Sequence, residues 1–372
     1  SGASGASGAP PADAACPGAL PLLNVLVFHE PHHNGDILVS GQWVAARVLS
    51  AFGRPVRLVQ RVIRAGMRMA DLPVMSDSLV VVDSYGGGME HAPAWVFDFG
   101  LYARRARSLG ARNLGLLHLG HEVLWETDGP TGEAPDTPVS MRGDGRFPEP
   151  KHFLRDYETF DYVLRNYYSS MYAERSLYVP LGPGPGYPTE ASPVPIASQR
   201  GTLCLAAFEQ GMAPWNSWYK WDRGDLIREL NSARGLCAST TARGNQYRAA
   251  LMDAVFSLCP FGSTQETHRL WESILAGAVV VTTRAAFIDG PLEGAPFVVL
   301  DAWSELSPTL QVLAAQPDVM DAIQRAQTAW YTEHLAALRS SVGGLSRLAF
   351  QRRASHAPWA APVPSSDGHR TG

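Results

Sequence analysis

The sequence predicts an α/β protein of two domains, each built around a parallel β-sheet. Short apolar strands alternate with amphipathic helices, which is the pattern typical of parallel sheets. One segment rich in Pro and Gly, residues 180–200, interrupts this alternation near the middle of the chain. The chain has 372 residues, of which 45% are hydrophobic and 18% charged, so it can form two globular domains of ordinary size.

In the first half, each predicted strand is a short run of apolar and β-branched residues bounded by residues that favour turns. Each predicted helix carries apolar residues at a spacing of three and four positions. We therefore expect strands at 24–28, 56–63, 79–82, 114–119 and 162–164, and helices at 37–50 and 94–108.

The boundary between the domains is expected at the sequence PLGPGPGYP, positions 180–188, and in the Pro- and Ser-rich residues that follow it. Residues 1–17 repeat Ser-Gly-Ala and are rich in Ala and Pro, which is typical of a flexible linker or stalk. The predicted division is a linker or stalk at 1–20, an N-terminal domain at 21–182, an interdomain linker at 183–200, a C-terminal domain at 201–345 and a disordered tail at 346–372.

The alternation resumes after the linker. We expect strands at 202–207, 254–258, 278–281 and 297–300, and helices at 224–233, 246–252, 303–315 and 319–338. Between two of these strands, the pair Ser263 and Glu266 has the spacing of a capping box and predicts the start of a further helix. Gly277 predicts its end, directly before a buried strand.

A turn that leads from a strand into a helix is a potential anion site. The unpaired N–H groups of the first helical turn and the positive end of the helix dipole both attract phosphate. Hydroxyl and guanidinium side chains in this stretch could complete the site. The candidate residues are Gly262, Ser263, Thr264, Thr267, Arg269 and Glu272.

The same stretch resembles the nucleotide-sugar signature of the exostosin-like glycosyltransferases. In that family an Arg and a Glu three residues apart precede a Gly and a short apolar strand, and here they are Arg269 and Glu272. The resemblance implies a GT-B fold, in which two Rossmann-like domains face a central cleft, and a UDP-sugar donor. It also implies that Arg269 binds the diphosphate and Glu272 the ribose or base. The alternative is an ordinary Arg–Glu pair on a helix surface.

Two segments of the first half extend this resemblance. Residues 113–122 and 160–168 are apolar strands that end in polar residues, as in the ribitol-phosphate xylosyltransferase-like branch of the family. That branch implies UDP-xylose as donor, a glycan or ribitol-phosphate acceptor and inversion at the anomeric carbon. The chain departs from the branch at His121, which stands before Glu122 where an acid is expected directly after Leu-Gly.

An inverting transfer needs a base that takes the proton of the acceptor hydroxyl. We expect Glu122 or His121 to be this base, with Asp36 as the third candidate, because all three follow predicted strands of the first domain. The expected acceptor-binding residues are Arg165, Asn166 and His33. Each of these side chains could instead form a salt bridge, cap a helix or hydrogen-bond within a loop.

The sequence contains no zinc-binding pattern of Cys and His and no Asp-x-Asp triplet, so we expect no cofactor and no obligatory metal. The loop 29–36, with three His and two acidic residues, is the alternative metal candidate. A disulfide between Cys204 and Cys237 is possible in an oxidising compartment. The cluster Trp215, Trp218, Tyr219 and Trp221 could stack on a sugar or base, or simply cover a sheet edge.

The expected partners are a nucleotide-sugar donor and a glycan acceptor. A net charge of −4 does not favour nucleic acid, and no apolar run is long enough to span a membrane. Because the chain begins at Ser1, a preceding anchor could be missing, which would place the enzyme in the Golgi or secretory-pathway lumen. The alternatives are a non-catalytic module that binds nucleotide sugars and an epimerase that converts the donor without an acceptor.

Overall fold

The computed structural model describes residues 22–29, 45–62, 68–83, 99–119, 150–168, 172–190, 193–208, 217–262 and 265–351. Within them the chain forms two separate parallel β-sheets with helices, as the sequence predicts. The strands are β1 (Leu23–His29), β2 (Val56–Val62), β3 (Ser78–Asp83), β4 (Leu114–Leu119), β5 (Tyr162–Arg165), β6 (Leu177–Tyr178), β7 (Thr202–Ala206), β8 (Ala238–Ser239), β9 (Ala254–Leu258), β10 (Val279–Thr283) and β11 (Val298–Leu300). The helices are α1 (Phe99–Ser108), α2 (Pro150–Tyr157), α3 (Ser217–Ser232), α4 (Gly244–Asp253), α5 (His268–Leu275), α6 (Ala286–Asp289), α7 (Leu306–Ala314) and α8 (Pro317–Gln351).

The two sheets have the same strand order. The first is β2-β1-β3-β4-β5-β6 and the second, counted from its other edge, is β8-β7-β9-β10-β11. All neighbouring strands are parallel. In each domain the winding therefore reverses between the first and third strands, and doubly wound sheets bind ligands at the carboxyl ends of those two strands. In the second domain this point lies between β7 and β9.

The central strands of each sheet are buried on both faces. On β1, Val25 and Val27 belong to one hydrophobic cluster, and Leu26 and Phe28 to another that includes Tyr102 of α1. This alternation follows from the two-residue period of a strand. Because both of their faces are covered, the central strands β1, β3 and β4 consist of nearly continuous apolar residues, whereas the edge strand β2 is largely exposed and contains Arg57, Gln60 and Arg61.

Helix α8 connects the two domains. Its Met320 packs in the core of the second domain, whereas Leu338 and Val342 lie in the core of the first. The helix predicted at 319–338 is therefore too short, and the first residues of the predicted tail are helical. Burial of Val342 favours this extension of the helix. At the next position, a Cβ atom added to Gly343 would lie only 3.2 Å from the carbonyl oxygen of Ala51, so glycine leaves room for that carbonyl. None of the described helices, α8 included, combines the length and hydropathy needed to cross a bilayer.

Other element boundaries also differ from the predicted ones. Helix α3 begins at Ser217 instead of 224, so Trp218, Tyr219 and Trp221 are helical residues and not part of a loop. A 3₁₀ turn at Trp303–Glu305 precedes α7. Strands β6 and β8 have two residues each, too few to produce a pattern in the sequence. Most of the helix predicted at 37–50 lies outside the described residues, and Trp215 does too.

A disulfide joins Cys204 and Cys237, the pairing that the sequence left open. It links β7 to the residue directly before β8. Strand β8 pairs with β7 through Ala238 and Ser239, so the disulfide adds a covalent link at the start of this short edge strand.

We expect loss of this disulfide to lower the free energy of unfolding by about 2–4 kcal/mol, because the bond constrains a 33-residue separation in the unfolded chain. The measurement is urea unfolding of the protein with and without reductant. The Cys237→Ser variant should match the reduced protein and should not respond to reductant. Equal stability of the oxidised and reduced protein would contradict this expectation.

Candidate functional site

Helix α5 begins later than the sequence predicts. Its N-cap residue is Thr267 and its first helical residue is His268, so Ser263 and Glu266 do not form the predicted capping box at the helix start. Within the described part of the chain, the side chain of Thr267 makes no capping hydrogen bond to α5. The first N–H groups of α5 therefore lack a side-chain partner from the cap and are suited to an anion.

The end of α5 is where Gly277 predicts it. The N–H of Gly277 donates to Ile274 and the N–H of Ala278 to Ser273, which together form a Schellman motif. Gly277 has φ +69°, and a Cβ atom there would lie 2.6 Å from Nη2 of Arg200. Both the backbone conformation and the available space therefore require glycine.

The carboxylate of Glu266 binds the first domain instead of capping α5. It accepts hydrogen bonds from the hydroxyl of Tyr178 at 2.7 Å, the backbone N–H of Leu181 at 2.6 Å and Nε1 of Trp271 at 2.9 Å. The backbone N–H of Tyr167 also donates to it. Three of these four donors belong to the first domain, with Leu181 directly before the linker, so Glu266 ties the second domain to the first.

Glu266 is 3% exposed, and this burial raises the pKa of its carboxyl to about 7, against the opposing effect of its hydrogen-bond donors. Burial and the neighbouring Glu266 also raise the pKa of Tyr178, which therefore remains a donor. The carboxyl of Glu266 can thus gain or lose its proton near neutral pH.

Six residues further along the chain, the carboxylate of Glu272 has a similar arrangement. Its Oε1 accepts the backbone N–H of Gly184 at 2.9 Å, and its Oε2 accepts the hydroxyl of Tyr247 at 2.8 Å. The hydroxyl of Tyr187 donates to the backbone carbonyl of Glu272 at 3.2 Å. The linker residues Gly184 and Tyr187 are therefore held directly against α5.

Two arginines lie beside the aromatic ring that follows β7. The guanidinium carbons of Arg269 and Arg223 are 5.7 and 5.6 Å from the ring centre of Phe208. Nε of Arg269 donates to the carbonyl of Ala207, and Nε of Arg223 to that of Phe261. Among the described residues, Nη1 of Arg269 is buried and has no hydrogen-bond partner. Arg269 as a whole is half-buried, so its guanidinium is suited to a charge-assisted hydrogen bond with an anionic ligand.

These groups line one cavity of about 760 Å³. It lies at the carboxyl ends of β7 and β9, the point where doubly wound sheets bind ligands. Linker residues 185–188 form one wall, and residues 240–245, directly after β8, form another. The charged side chains of the lining are Arg223, Arg243, Arg248, Arg269, Glu266 and Glu272. Four guanidinium groups against two carboxyl groups favour an anionic ligand.

The structure brings four of the predicted donor-binding residues to this cavity: Gly262, Thr267, Arg269 and Glu272. Arg165 and Asn166 are 2% and 5% exposed and are not part of its lining. The guanidinium of Arg165 lies 4.4 Å from the ring centre of Tyr172, in the interior of the first domain. The other predicted site residues lie outside the described part of the chain: His33, Asp36, His121, Glu122, Ser263 and Thr264.

The sequence did not single out several residues that line the cavity. Phe208, Arg223 and Tyr247 come from three different elements, and no local pattern joins them to Glu272. The contact between Gly184 and Glu272 spans 88 residues. Its only local signal is the abundance of Gly in the linker, which indicates a turn equally well.

No protein-family model matches the sequence, and no curated protein matches it. Among solved structures, similar ones include an α1,3-fucosyltransferase with GDP, which is 10% identical over 91% of this chain and 94% of that chain, with a TM-score of 0.41. The sucrose-phosphate synthase of Thermosynechococcus elongatus is 11% identical over 90% and 99%, with a TM-score of 0.44. T4 phage β-glucosyltransferase is 10% identical over 90% and 100%, with a TM-score of 0.39. Likeness at this level concerns the fold and assigns no residue a role.

The raised pKa of Glu266 has a consequence for stability. Because the pKa is raised, folding favours the protonated carboxyl. The stability that this group contributes is therefore fully present below the ordinary pKa of 4.5 and is lost as the pH rises through about 7. Over this pH range we expect the free energy of unfolding of the unmodified protein to fall by about 3 kcal/mol through Glu266. Glu266→Gln keeps a hydrogen-bond acceptor but carries no charge, so it should not show this fall. The measurement is urea unfolding of both proteins between pH 4 and pH 8.

Other carboxyl groups titrate equally in both proteins. The difference between the two free energies of unfolding at each pH therefore reports Glu266 alone. Parallel stability curves for the two proteins across this pH range would contradict the assignment.

Proposed function

We propose that this chain is a glycosyltransferase that takes a sugar from a nucleotide diphosphate donor and transfers it, with inversion, to a glycan or ribitol-phosphate-type acceptor. The observation that carries the proposal is the arginine-lined cavity at the switch point of the second domain. Nucleotides bind doubly wound domains at this point.

The diphosphate is assigned to the α5 end of the cavity. There the N-cap residue Thr267 and the first helical residue His268 line the cavity together with Gly262 and Arg269. When the glycosidic bond breaks, its electron pair goes to the diphosphate oxygen, and these donors stabilise the charge that develops. Arg223, on the same aromatic ring, adds a second guanidinium.

The nucleoside is assigned to the part of the cavity beside Glu272, one turn further along α5, whose carboxylate can accept hydrogen bonds from ribose hydroxyls. Tyr187 and Tyr247 of the lining offer aromatic rings near it. A volume of about 760 Å³ is within the range of pockets that enclose ligands of this size.

The finer identity of the donor rests on the resemblance to the exostosin-like family. That resemblance favours a UDP-sugar, and its ribitol-phosphate xylosyltransferase-like branch favours UDP-xylose. Of the residues that carry the signature, Gly262, Thr267, Arg269 and Glu272 line the cavity, which supports a role in donor binding.

The catalytic base is proposed in the first domain, on the loops that follow β1 and β4. These two strands are separated by β3 alone, so their carboxyl ends lie about 10 Å apart, at two strand spacings. Glu122 or His121 after β4, or Asp36 after β1, would take the proton of the acceptor hydroxyl as its oxygen attacks the anomeric carbon. The guanidinium of Arg165 is buried against Tyr172, so it would have to move away from that ring to bind the acceptor.

The disulfide supports a proposal for the compartment. Disulfides persist in secretory and extracellular compartments and are rare in the cytosol. We therefore propose that the enzyme works in the Golgi or secretory-pathway lumen.

The proposal is tested by incubating the purified chain with UDP-xylose, UDP-glucose and UDP-glucuronate and measuring release of UDP with and without acceptor. Release of UDP from one donor supports a transferase. Binding without release would indicate a non-catalytic module, and isomerisation of the sugar would indicate an epimerase.

Removal of either signature side chain should weaken nucleotide binding. We expect Arg269→Ala and Glu272→Ala each to raise the Kd for UDP by roughly 10- to 150-fold, because each loses a hydrogen bond to a charged group. The measurement is isothermal titration calorimetry on variants whose Tm shows that they are folded.

Arg228→Ala is the matched control, because Arg228 is an exposed arginine paired with Asp225 and lies outside the cavity lining. Its Kd should equal that of the unmodified chain. Unchanged affinity in both Arg269→Ala and Glu272→Ala would refute the donor assignment.

We also propose that transfer requires no divalent metal. The whole sequence lacks the Asp-x-Asp triplet with which metal-dependent transferases bridge a cation to the diphosphate. We expect turnover in EDTA to be within about twofold of turnover in manganese, since arginines and the helix dipole neutralise the leaving group. Loss of turnover in EDTA that manganese restores would instead favour a metal site, with the loop 29–36 as its first candidate.

A further inference from the structure

The Glu272 carboxylate is held from two sides by elements that lie far apart in the sequence. The N–H of Gly184, in the linker, reaches Oε1, and the hydroxyl of Tyr247, on α4, reaches Oε2. A carboxylate offers about four acceptor positions, so one donor on each oxygen leaves acceptor capacity on both. The carboxylate is therefore fixed in rotation and can still bind two further donors.

Tyr247 is suited to hold the carboxylate at any physiological pH. Burial, and then the charge of Glu272, raise the pKa of its phenol, so it stays a hydrogen-bond donor. Its ring also packs edge-to-face on Tyr187 of the linker, with 6.3 Å between ring centres. The two contacts restrict both the ring and the hydroxyl of Tyr247.

Gly184 is suited to its position because it has no side chain. A Cβ atom at this position would lie 2.9 Å from Oε1 of Glu272. Atoms at that distance must move apart, so any larger residue would displace the carboxylate or draw the N–H away from it.

We propose that Tyr247 and Gly184 are positioning residues that orient Glu272 for a vicinal diol, the 2′- and 3′-hydroxyls of the donor ribose. This inference rests on the proposed function and deepens it. Two adjacent hydroxyls can both donate to one carboxylate only when its plane has the correct orientation, because hydrogen bonds weaken steeply with misalignment. Part of the ribose specificity would then reside in the linker between the domains, outside the signature itself.

The test compares the Kd values for UDP and 2′-deoxy-UDP, measured by calorimetry on the full chain. The unmodified chain should bind UDP roughly tenfold or more tightly than 2′-deoxy-UDP, the usual effect of one hydrogen bond to a charged group. In Tyr247→Phe we expect this ratio to fall to about threefold or less, through weaker binding of UDP and with little change for 2′-deoxy-UDP. A residue that only stabilises the fold would weaken both nucleotides equally.

Tyr102→Phe is the matched control, because the buried hydroxyl of Tyr102 also donates to a partner, the carbonyl of Pro73 in the first domain. Its ratio should equal that of the unmodified chain. Gly184→Ala is an independent second variant and should lower the ratio as Tyr247→Phe does. Its control is Gly344→Ala, because a Cβ atom at Gly344 has no neighbour within 4 Å.

The outcomes separate the two proposals. If the unmodified chain binds UDP with a preference over 2′-deoxy-UDP that survives in Tyr247→Phe and Gly184→Ala, the positioning role is overturned and the donor site stands. Equal weakening of both nucleotides also overturns it, because the role is then structural. If the unmodified chain binds neither nucleotide, the proposed function fails and this inference fails with it.

Discussion

One buried side chain, that of Glu266, joins the two domains through hydrogen bonds. It comes from the second domain but accepts hydrogen bonds from Tyr178, Tyr167 and Leu181 of the first, the last of these directly before the linker. A buried carboxylate is costly unless such donors surround it, so the contact holds only while all three segments keep their places. Helix α8 then adds hydrophobic contacts to both domains. The linker is therefore a fixed structural segment here.

Because the linker is fixed, it can serve as a wall of the cavity. Glu272 repeats the arrangement of Glu266 six residues later and accepts the N–H of Gly184. The same short segment, residues 266–272, thus carries one carboxylate that joins the domains and one that faces the proposed nucleotide. A change in the position of the linker would alter both, which couples the geometry of the donor site to the arrangement of the domains. In a transferase with donor and acceptor on different domains, such coupling would link donor binding to the approach of the acceptor.

Local patterns in the sequence were sufficient to predict the parallel sheets and the end of α5 at Gly277. They also predicted that Arg269 and Glu272 lie beside the end of a strand. They were not sufficient where contacts act over long distances. Glu266 has the spacing of a capping residue, yet its partners Tyr178 and Leu181 lie 88 and 85 residues away and determine its conformation instead. Arg165 has the polar character of a site residue, but its stacking on Tyr172 places it in the interior. Helix α8 continues past the predicted end because residues of the first domain, distant in sequence, bury Val342.

Hydrogen–deuterium exchange with and without UDP tests the central claim, a donor site built from the second domain and the linker, most directly. We expect UDP to slow exchange in residues 181–188, 240–248 and 265–276, which line the cavity, and to leave strand β3 of the first domain unchanged. These three segments report the linker, the wall after β8 and helix α5 separately. Unchanged exchange in all three at saturating UDP, or protection confined to the first domain, would contradict the donor site described above.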